Sequence, residues 1–324
     1  MSSTRNIALA TSFMMAAGAA AAQEYPVKQI SMVMPFAAGG PGDAIARIVA
    51  QGMSDNLKQQ VFVENVGGAG GTIGVARVAA ANPDGYSILM MHIGHATNVA
   101  LYPNLKYDAV KDFEPIGLVG EVPMVIVGKK ALAADTLQGL VDRIKADKDS
   151  LTYAHAGIGS ASHLCGLLFF SAIGAEVRQV PYRGTGPAMN DLLGGQVDFL
   201  CDQTVNTVPN AIAGTIKAFA VTTLKRLGTL PAVPTADESG LKGFDLSIWY
   251  GTYAPKGTPQ PILDRLAAAH QAALASATVT DKLNGIGVVI AGPERAKPAV
   301  LAAHLKAEIE KWAPVIRKAG VTGQ

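Results

Sequence analysis

The part of this 324-residue sequence that most clearly suggests a binding site is a stretch rich in small residues near the N-terminus, residues 35–43 (PFAAGGPGD). A strand-like run precedes them, and apolar residues at helical spacing follow them. A helix start leaves backbone N–H groups unpartnered at the positive end of the helix dipole, so it can bind an anion. Glycine suits such a turn because a Cβ would obstruct the ligand. The stretch predicts a carboxylate or phosphate site, and a tight turn without a ligand fits it about equally well.

Three further stretches of small or polar residues follow predicted strands: residues 67–74 (GGAGGTIG), 92–98 (HIGHATN) and 156–163 (AGIGSASH). In open α/β sheets, ligands bind outside the carboxyl ends of the strands, so these stretches could converge on one cleft. We interpret residues 92–98 as a polar loop. Residues 156–163 repeat the strand, small-residue loop and helix of residues 35–43, and we interpret them as the opposing lip of the cleft.

Nucleotide binding receives little support from these glycines. Gly68 and Gly70 approach a dinucleotide fingerprint, but Ile73 stands where its last glycine belongs, and no acid follows at the distance needed to hold a ribose. In residues 157–162 the last glycine is replaced by Ser162, and Glu176 falls at the start of the next strand rather than at its end. The sequence contains no P-loop lysine motif.

Metal and nucleophile chemistry are also weakly signalled. His92 and His95 are spaced as a possible metal pair, but no third ligand is near in sequence, so loop or pocket histidines are the better interpretation. No Gly-x-Ser-x-Gly elbow occurs. Arg183 could fork onto a carboxylate or simply be solvated. The aromatic residues near Trp249 and Tyr250 could cover an apolar ligand body or pack in the core.

Composition limits the function classes. The chain is 49% hydrophobic and 16% charged with a net charge of +2, so it can build large cores, and it lacks the basic patch of a nucleic-acid-binding protein. Residues 1–22 have one charge, Arg5, an apolar centre and an Ala-x-Ala end, which predicts a secretory signal cleaved after Ala22. Export would permit a disulfide between Cys165 and Cys201, but their apolar surroundings favour free, buried thiols.

Strand-like and helix-like segments alternate after residue 23, which predicts an α/β protein with largely parallel sheets. Residues 115–128 are read as two strands interrupted by Pro123, where the chain first crosses between domains. It returns near residue 246. We therefore expect a discontinuous first domain (residues 23–123 and 244–324), a second domain (residues 124–243), and a hinge of two crossover strands that lets the cleft close.

The sequence resembles the periplasmic solute receptors of tripartite tricarboxylate transporters, the Bug receptors, over nearly the whole mature chain. The motifs that carry the resemblance include residues 35–47, 65–74, 81–86 (ANPDGY), 107–116, 151–157, 180–184 (VPYRG), 191–198 (DLLGGQVD), 230–235 and 249–259. Each motif is modest alone, whereas so many in the same order are specific to the family.

The resemblance implies a periplasmic-binding-protein fold that closes on a small carboxylate and presents it to the transporter's integral-membrane permease subunits. It also implies a monomer, no enzymatic activity, and no cofactor or metal. Carried over to matching positions, it gives the ligand-binding residues Phe36, Ala38, Gly39, Gly40, Gly70, Gly71, His95, Thr97, Ala156, Gly157, Gly159, Ser160, Ser162 and Asp202.

This chain departs from the commoner family pattern at His155, where serine is frequent, and His95 lies in a loop that varies with the ligand. The family's ligands range over di- and tricarboxylates, amino acids and nicotinate. The additional imidazoles and aromatics favour a bulkier dicarboxylate, such as the aromatic terephthalate. Two alternatives stay open: an exported α/β enzyme acting on carboxylates, with Ser160, His163 and Asp202 as first candidates, and a purely sensory receptor.

Overall fold

The computed structural model describes residues 25–147 and 149–323, so the predicted signal peptide lies outside the described residues. Strands and helices alternate along the described chain, which confirms the predicted α/β class. The strands are β1 Ile30–Met34, β2 Val61–Asn65, β3 Ser87–His92, β4 Phe113–Lys129, β5 Thr152–His155, β6 Arg178–Pro181, β7 Phe199–Gln203, β8 Ile216–Val221, β9 Ser247–Pro255 and β10 Val289–Ile290. The α-helices are α1 Pro41–Leu57, α2 Thr72–Ala79, α3 Gly94–Leu101, α4 Leu137–Ala146, α5 Ala161–Ile173, α6 Thr185–Leu193, α7 Thr204–Ile212, α8 Gln260–Ala275, α9 Ala277–Gly285 and α10 Pro298–Ala319.

The described strands are hydrogen-bonded in the order β2-β1-β3-β9-β4-β7-β5-β6, and β8 and β10 also pair with β4. Strands β1, β2 and β3 are parallel at one end, and β5, β6 and β7 are parallel at the other. The strands between them pair antiparallel: β9 with β3 and β4, and β4 with β7, β8 and β10. The sheets are therefore mixed, with parallel outer parts joined by antiparallel strands.

Strand β4 is one continuous strand, so the prediction of two strands interrupted at Pro123 was wrong. Its first part, up to Pro123, pairs with β9, and its second part, from Met124, pairs with β7 and β8. Proline lacks the N–H that a central strand needs, so it is tolerated where the pairing partner changes. The proline therefore marks a change of sheet rather than the end of a strand.

Thr222, the residue after β8, joins both passages of the chain between the two groups of strands. Its backbone N–H donates to the Met124 carbonyl at 2.9 Å, and its Oγ1 accepts from the Met124 N–H at 3.1 Å. Its hydroxyl donates to the Leu246 carbonyl at 2.6 Å, and the Leu246 N–H donates to the Thr222 carbonyl. The two crossing segments are thus hydrogen-bonded through one buried side chain.

Alternating side chains of β4 enter different parts of the core, as expected for a strand covered on both faces. Val125 and Val127 pack in a small cluster with Leu200, whereas Ile126 packs in the larger cluster that contains Cys201. Helix α5 covers that second face and contributes Cys165. This arrangement places the two cysteines opposite each other.

Cys165 and Cys201 form a disulfide with their Cα atoms 6.2 Å apart, so the expectation of free thiols was wrong. Both cysteines do lie in the apolar core, as the sequence indicated, but burial does not distinguish a thiol from a bridge. The bridge spans 36 residues. Closing a loop of that length in the unfolded chain stabilises a fold by roughly 3–4 kcal/mol. It also fixes α5 to β7, two elements that each contribute residues to the site described below.

The structure differs from the predicted elements in three other places. Residues 92–98 are not a loop, because His92 ends β3 and α3 begins at Gly94. Helices α7 and α9 were not predicted, and α7 contains Pro209 inside its nine residues. Short polar side chains resemble a loop in sequence, yet in α3 most of them are buried. Among the described residues, no helix combines the length and the apolar character needed to cross a bilayer.

Candidate anion-binding site

A small enclosed cavity lies between the loop that follows β1 and the loop that follows β5. Its free volume is about 30 Å³, which is room for about two water molecules. Residues from both groups of strands line it: Met34, Phe36, Ala37, Gly40, Pro41, Gly42, Asp43, His92, Ala156, Ser160, Ala161, Ser162, Thr185, Asp202, Gln203 and Tyr250. Six predicted site residues are among them: Phe36, Gly40, Ala156, Ser160, Ser162 and Asp202.

The N-termini of α1 and α5 meet at this cavity from opposite sides. Gly42 and Asp43 in α1, and Ala161 and Ser162 in α5, have backbone N–H groups with no acceptor among the described residues. The first residue of α1, Pro41, has no N–H to leave unsatisfied. Two helix dipoles with free donors therefore converge on the same small volume, which favours a negative ligand.

Two more helices begin at the cavity wall. Thr185 is the first residue of α6, and Gln203 is the residue immediately before α7. Both side chains are buried, with exposed fractions of 8% and 4%. Their hydroxyl and amide groups add neutral polar contacts to the helix ends. The cavity therefore offers many hydrogen-bond donors without a buried lysine or arginine.

The two serines at the start of α5 have fixed roles. Ser160 caps the helix, because its Oγ accepts from the His163 N–H at 3.2 Å. The Oγ of Ser162 accepts from the Ala156 N–H at 2.9 Å and lies 3.1 Å from the Oγ of Ser160. Since each oxygen already accepts a backbone hydrogen bond, a hydroxyl hydrogen remains to be donated to a ligand.

Asp202 is the one carboxyl group at the cavity without a cationic partner in the described chain, and it is 1% exposed. Burial raises its pKa to about 6, although hydrogen bonds from Gln203, Asn206 and Thr185 act in the opposite direction. The Gln203 N–H and the Asn206 side-chain amide donate to its two oxygens at 2.8 and 2.9 Å. Asp202 is within β7, not at its tip as predicted.

Asp43 also faces the cavity, but its charge is balanced. Its Oδ2 accepts from the Gly39 N–H and from the Arg47 Nε, each at 3.1 Å. Burial alone would raise the pKa of Asp43, but hydrogen bonds from Arg47, Gly39 and Asn65 together outweigh it and lower the pKa. Asp43 thus holds the turn that precedes α1 and adds little repulsion against an anion.

Aromatic rings close one side of the cavity. The Phe36 and His92 rings are stacked with centroids 4.7 Å apart, and Tyr250 meets His92 edge-on at 5.7 Å. The Tyr250 hydroxyl is hydrogen-bonded to the Gln203 amide. Burial lowers the pKa of His92 to about 3, so the ring is neutral. Its Nδ1 accepts from the Gly94 N–H, which leaves Nε2 as a donor.

Three predicted ligand-binding glycines form a contact between the two lips instead of lining the cavity. A Cβ on Gly70 would overlap the Ile158 carbonyl, one on Gly157 would lie 3.2 Å from the Gly70 nitrogen, and one on Gly159 would overlap the Asn98 side chain. All three have positive φ angles. We call this interlocking contact of loops 68–71 and 156–159 the glycine contact.

Two side-chain hydrogen bonds accompany the glycine contact. The Tyr102 hydroxyl donates to the Ile158 carbonyl at 2.8 Å, and the Asn98 amide donates to the Gly70 carbonyl at 3.3 Å. Of these two, only the Tyr102 bond crosses to loop 156–159. A backbone hydrogen bond crosses on the other side of the cavity, from the Ala37 N–H to the Arg183 carbonyl at 3.0 Å. The lips are therefore in contact around the cavity, and the cleft is closed.

The remaining predicted site residues lie outside the cavity. Ala38 and Gly39 are exposed on the outer surface of their lip. Gly71 lies behind Phe36, since a Cβ there would be 3.2 Å from the Phe36 ring. His95 and Thr97 are buried in α3, with exposed fractions of 0% and 1%. His95 packs among the rings of Tyr107, Phe113 and Tyr253, and burial lowers its pKa to about 3.

Sequence reasoning missed Thr185 and Gln203 as cavity residues, and it interpreted His92 as a loop or pocket histidine without naming it among the ligand-binding residues. The helix start at Thr185 was recognised, and it follows a strand in the same way as the two lips do. That repeated pattern was the signal that could have placed it at the site. Gln203 follows a strand end already identified through Asp202, but α7 was not foreseen.

The side chains of the three residues suspected of catalysis, Ser160, His163 and Asp202, are not joined to one another by hydrogen bonds in the described structure. Among the described residues, no hydrogen bond joins the hydroxyl of Ser160 to the His163 ring, whose Nδ1 accepts from the Gly159 N–H. The Asp202 carboxyl bonds Gln203 and Asn206, not His163. In the same described ranges, no group of three or more His, Cys, Asp or Glu side chains is placed to hold a metal ion.

Comparison with known proteins places the chain in a family. The family model described as the tripartite tricarboxylate transporter family receptor matches residues 45–321. The chain belongs to this receptor family. A curated protein of Agrobacterium vitis, described as a UPF0065 protein in the TAR-I ttuE-ttuC' intergenic region, is 49% identical over 302 residues, covering 93% of this receptor and 87% of that protein.

Solved structures agree with the receptor's fold. The periplasmic binding protein BugD is 48% identical with a TM-score of 0.91, covering 93% of this receptor and 100% of that chain. MatC from Rhodopseudomonas palustris, with bound malate, is 40% identical with a TM-score of 0.87 and covers 90% and 100%. Rpa4515 from R. palustris, with adipate, is 33% identical with a TM-score of 0.87 and covers 92% and 99%. The expected periplasmic-binding-protein fold is therefore confirmed.

Proposed function

We propose that this receptor binds a short aliphatic dicarboxylate in the enclosed cavity, without chemical conversion, and delivers it in the periplasm to the permease subunits of a tripartite transporter. The observation that carries the proposal is the convergence of the α1 and α5 N-termini, with free N–H donors, on one small cavity between the two lips. Carboxylates gain charge-assisted hydrogen bonds from such donors, and a closed, water-poor site strengthens them.

The solved relatives, not the cavity volume, favour an aliphatic ligand. A free volume of about 30 Å³ is too small for any dicarboxylate, so the site must widen to admit one, and the volume does not separate malate from terephthalate, which the sequence suggested. The malate in MatC and the adipate in Rpa4515 are both aliphatic dicarboxylates. The face made by Phe36 and His92 can contact the ligand's carbon chain, while the helix ends bind its carboxylates.

Asp202 adds a requirement for a donor on the ligand. Because its oxygens already accept from Gln203 and Asn206, a ligand hydroxyl can complete the set without displacing them. A hydroxy dicarboxylate such as malate meets this requirement, whereas succinate does not. We therefore place malate ahead of succinate as the first compound to measure.

The proposal includes a monomer with two domains that close on the ligand. The first domain comprises residues 23–123 and 244–324, and the second comprises residues 124–243. The two lips come from different parts of this division, and the residues around Thr222 join them. A ligand shifts the equilibrium toward the closed form only by binding that form more tightly. Contacts made simultaneously by α1 and α5 provide that difference in affinity.

The test is a thermal-shift and calorimetry panel of malate, succinate, adipate and terephthalate on the mature protein. A ligand that binds only the native state raises the unfolding midpoint. We expect malate to stabilise most and terephthalate least. A panel in which no carboxylate shifts the midpoint would exclude the proposed ligand class, and a larger shift with terephthalate than with malate would exclude the preference for an aliphatic ligand.

Three additional measurements test the cavity, the enzyme alternative and the transport role. Gly40→Val places a branched side chain next to the Gly186 nitrogen and Thr185 at the cavity, so it should abolish binding while the fold is retained.

Mass spectrometry should show that the carboxylate is unchanged after incubation with the protein. Product formation that disappears in Ser160→Ala would refute the receptor proposal. Uptake by vesicles containing the permease subunits should require the receptor.

A further inference from the structure

A second concave surface lies on the far side of the lip that follows β5. This surface, which we call the outer groove, has a volume of about 1030 Å³. Leu167, Phe170 and Ile173 of α5 form an apolar wall, Val321 adds a further apolar side chain to the lining, and His155 and His163 supply polar groups. The groove is separate from the cavity, whose lining contains neither histidine.

The two histidines present hydrogen-bond donors to the groove. The Nδ1 of His155 accepts from the Gly157 N–H at 3.1 Å, and the Nδ1 of His163 accepts from the Gly159 N–H at 3.3 Å. A neutral imidazole that accepts at Nδ1 carries its hydrogen at Nε2. Because the Nδ1 edge of each ring is turned to the loop backbone, the Nε2 edge remains for the groove, and neither Nε2 has an acceptor among the described residues.

The rings are close enough to act on one head group. Their centroids are 5.1 Å apart, and the side chains are only 3% and 4% exposed. Burial lowers the pKa of each histidine to about 4, so both rings are neutral donors near neutral pH. The same tautomer argues against a metal, because the coordinating nitrogen would have to lose its hydrogen.

We propose that the outer groove is a second ligand site, for a monocarboxylic acid with an extended apolar body. The carboxylate accepts from the Nε2–H groups of His155 and His163, and the apolar body lies along Leu167 and Phe170. The lining also contains one exposed cation and one exposed anion, Lys145 and Glu176, whose charges offset each other. The preference for an acid therefore rests on the two imidazole N–H donors. A charged head with a long apolar body matches this division into a polar end and an apolar wall.

The groove and the cavity share one loop, which makes the second site relevant to the receptor. Residues 155–163 face the cavity through Ala156, Ser160 and Ser162 and face the groove through His155, Ile158 and His163. The proposal concerns binding in the groove and does not depend on which carboxylate the cavity takes.

The experiment uses octanoate as the probe and octylamine as the control of opposite charge, measured by calorimetry on the mature wild-type receptor and on Gly40→Val. Octanoate should bind both proteins equally, because the substitution lies at the cavity, and octylamine should bind neither. Loss of octanoate binding in Gly40→Val would place the octanoate in the cavity and overturn the proposal, as would absence of binding to both proteins.

Variants then test the named groups. His163→Asn keeps an oxygen that can accept near the position of Nδ1 but removes the Nε2 donor, so octanoate affinity should fall about tenfold. Leu167→Glu places a negative charge on the apolar wall and should abolish octanoate binding, with the response to the cavity ligand preserved. Unchanged octanoate affinity in both variants would refute the site.

A measurement on the wild type needs no variant. The methylene protons of octanoate should show nuclear Overhauser contacts to the Phe170 ring, and the absence of these contacts under saturating octanoate would also refute the site.

Discussion

The cavity and the glycine contact lie side by side between the same two lips, yet they are built from different residues. The cavity is lined by side chains and helix ends that donate hydrogen bonds, such as Ser162 and the start of α1. The glycine contact has almost no side chains, because Gly70 and Gly159 let two backbones touch. Ligand chemistry and closure are thus separate properties, and substitutions should affect them separately.

Among the variants that compare the cavity with the glycine contact, the largest effect is expected for Gly70→Ala. Its new Cβ would overlap the Ile158 carbonyl only when the lips meet, so the closed form is selectively destabilised. We expect about a 100-fold loss of affinity for the cavity ligand, which corresponds to roughly 3 kcal/mol. Calorimetry measures the affinity, and small-angle scattering should report an open form with ligand present.

Gly214→Ala is the matched control for that substitution. Gly214 has nearly the same φ angle as Gly70, 64° against 60°, but open space around its Cβ position. Both variants therefore carry similar backbone strain. Equal affinity losses in the two variants would mean that strain, not the lip contact, is responsible.

A smaller effect is expected from Ser162→Ala, which alters the cavity and leaves the glycine contact intact. The variant removes a hydroxyl donor and leaves the Ala156 N–H without its acceptor. Affinity should fall about tenfold. Small-angle scattering at saturating ligand should still show the closed form, and a variant that remains open would contradict the separation of binding from closure.

The pH dependence of binding tests Asp202. Its pKa is raised to about 6, so it is neutral below that pH and charged above it. A dianionic ligand should bind up to about tenfold more weakly as the pH rises from 5 to 8. Asp202→Asn should flatten this profile, and comparing the two proteins cancels titration of the ligand. Parallel profiles would exclude Asp202 as the titrating group.

The raised pKa of Asp202 also makes the free energy of unfolding depend on pH. The folded state favours the neutral carboxyl, so the stabilising contribution of Asp202 is fully present below pH 4 and is lost as the pH rises through about 6. The size is about 3 kcal/mol as an order of magnitude. The difference in unfolding free energy between the wild type and Asp202→Asn should therefore change across this pH range and be constant above it.

Tyr102→Phe should have the smallest effect. It deletes the hydroxyl that donates to the Ile158 carbonyl but adds no atom to the glycine contact. One such hydrogen bond contributes about 1 kcal/mol, or roughly a fivefold change in affinity. Calorimetry with the same ligand checks this, and a loss as large as that of Gly70→Ala would show that the hydroxyl, not the glycine, controls closure.

Much of the fold could be predicted because its signals are local. The apolar runs of β1, β3 and β5 and the small-residue turns after β1 and β5 are visible in short windows of sequence. Strand β4 could not be resolved, because Pro123 normally ends a strand and only the pairing partners on both sides explain its tolerance here. The disulfide depends on a long-range contact between α5 and β7 that no spacing rule provides.

The site was partly predictable for the same reason. The strand-end loops predicted residues that line the cavity, including Gly40, Ser160 and Ser162. The sequence of a loop does not show which of its glycines face a ligand and which face another backbone, because both positions favour a residue without a Cβ. His95 was carried over as a site residue from the family resemblance, whereas the structure buries it among Tyr107, Phe113 and Tyr253.

The unbroken course of β4 has a consequence for ligand exchange. A strand that belongs to both groups of strands, with Met124 and Leu246 hydrogen-bonded through Thr222, keeps the two groups connected at this point. The lips should therefore part by rotation about this connection, while the strand pairing within each group is kept. The rate of that rotation sets an upper limit on how fast a ligand enters or leaves. A substitution at Thr222 would then change entry and release rates while every contact within the cavity stays the same.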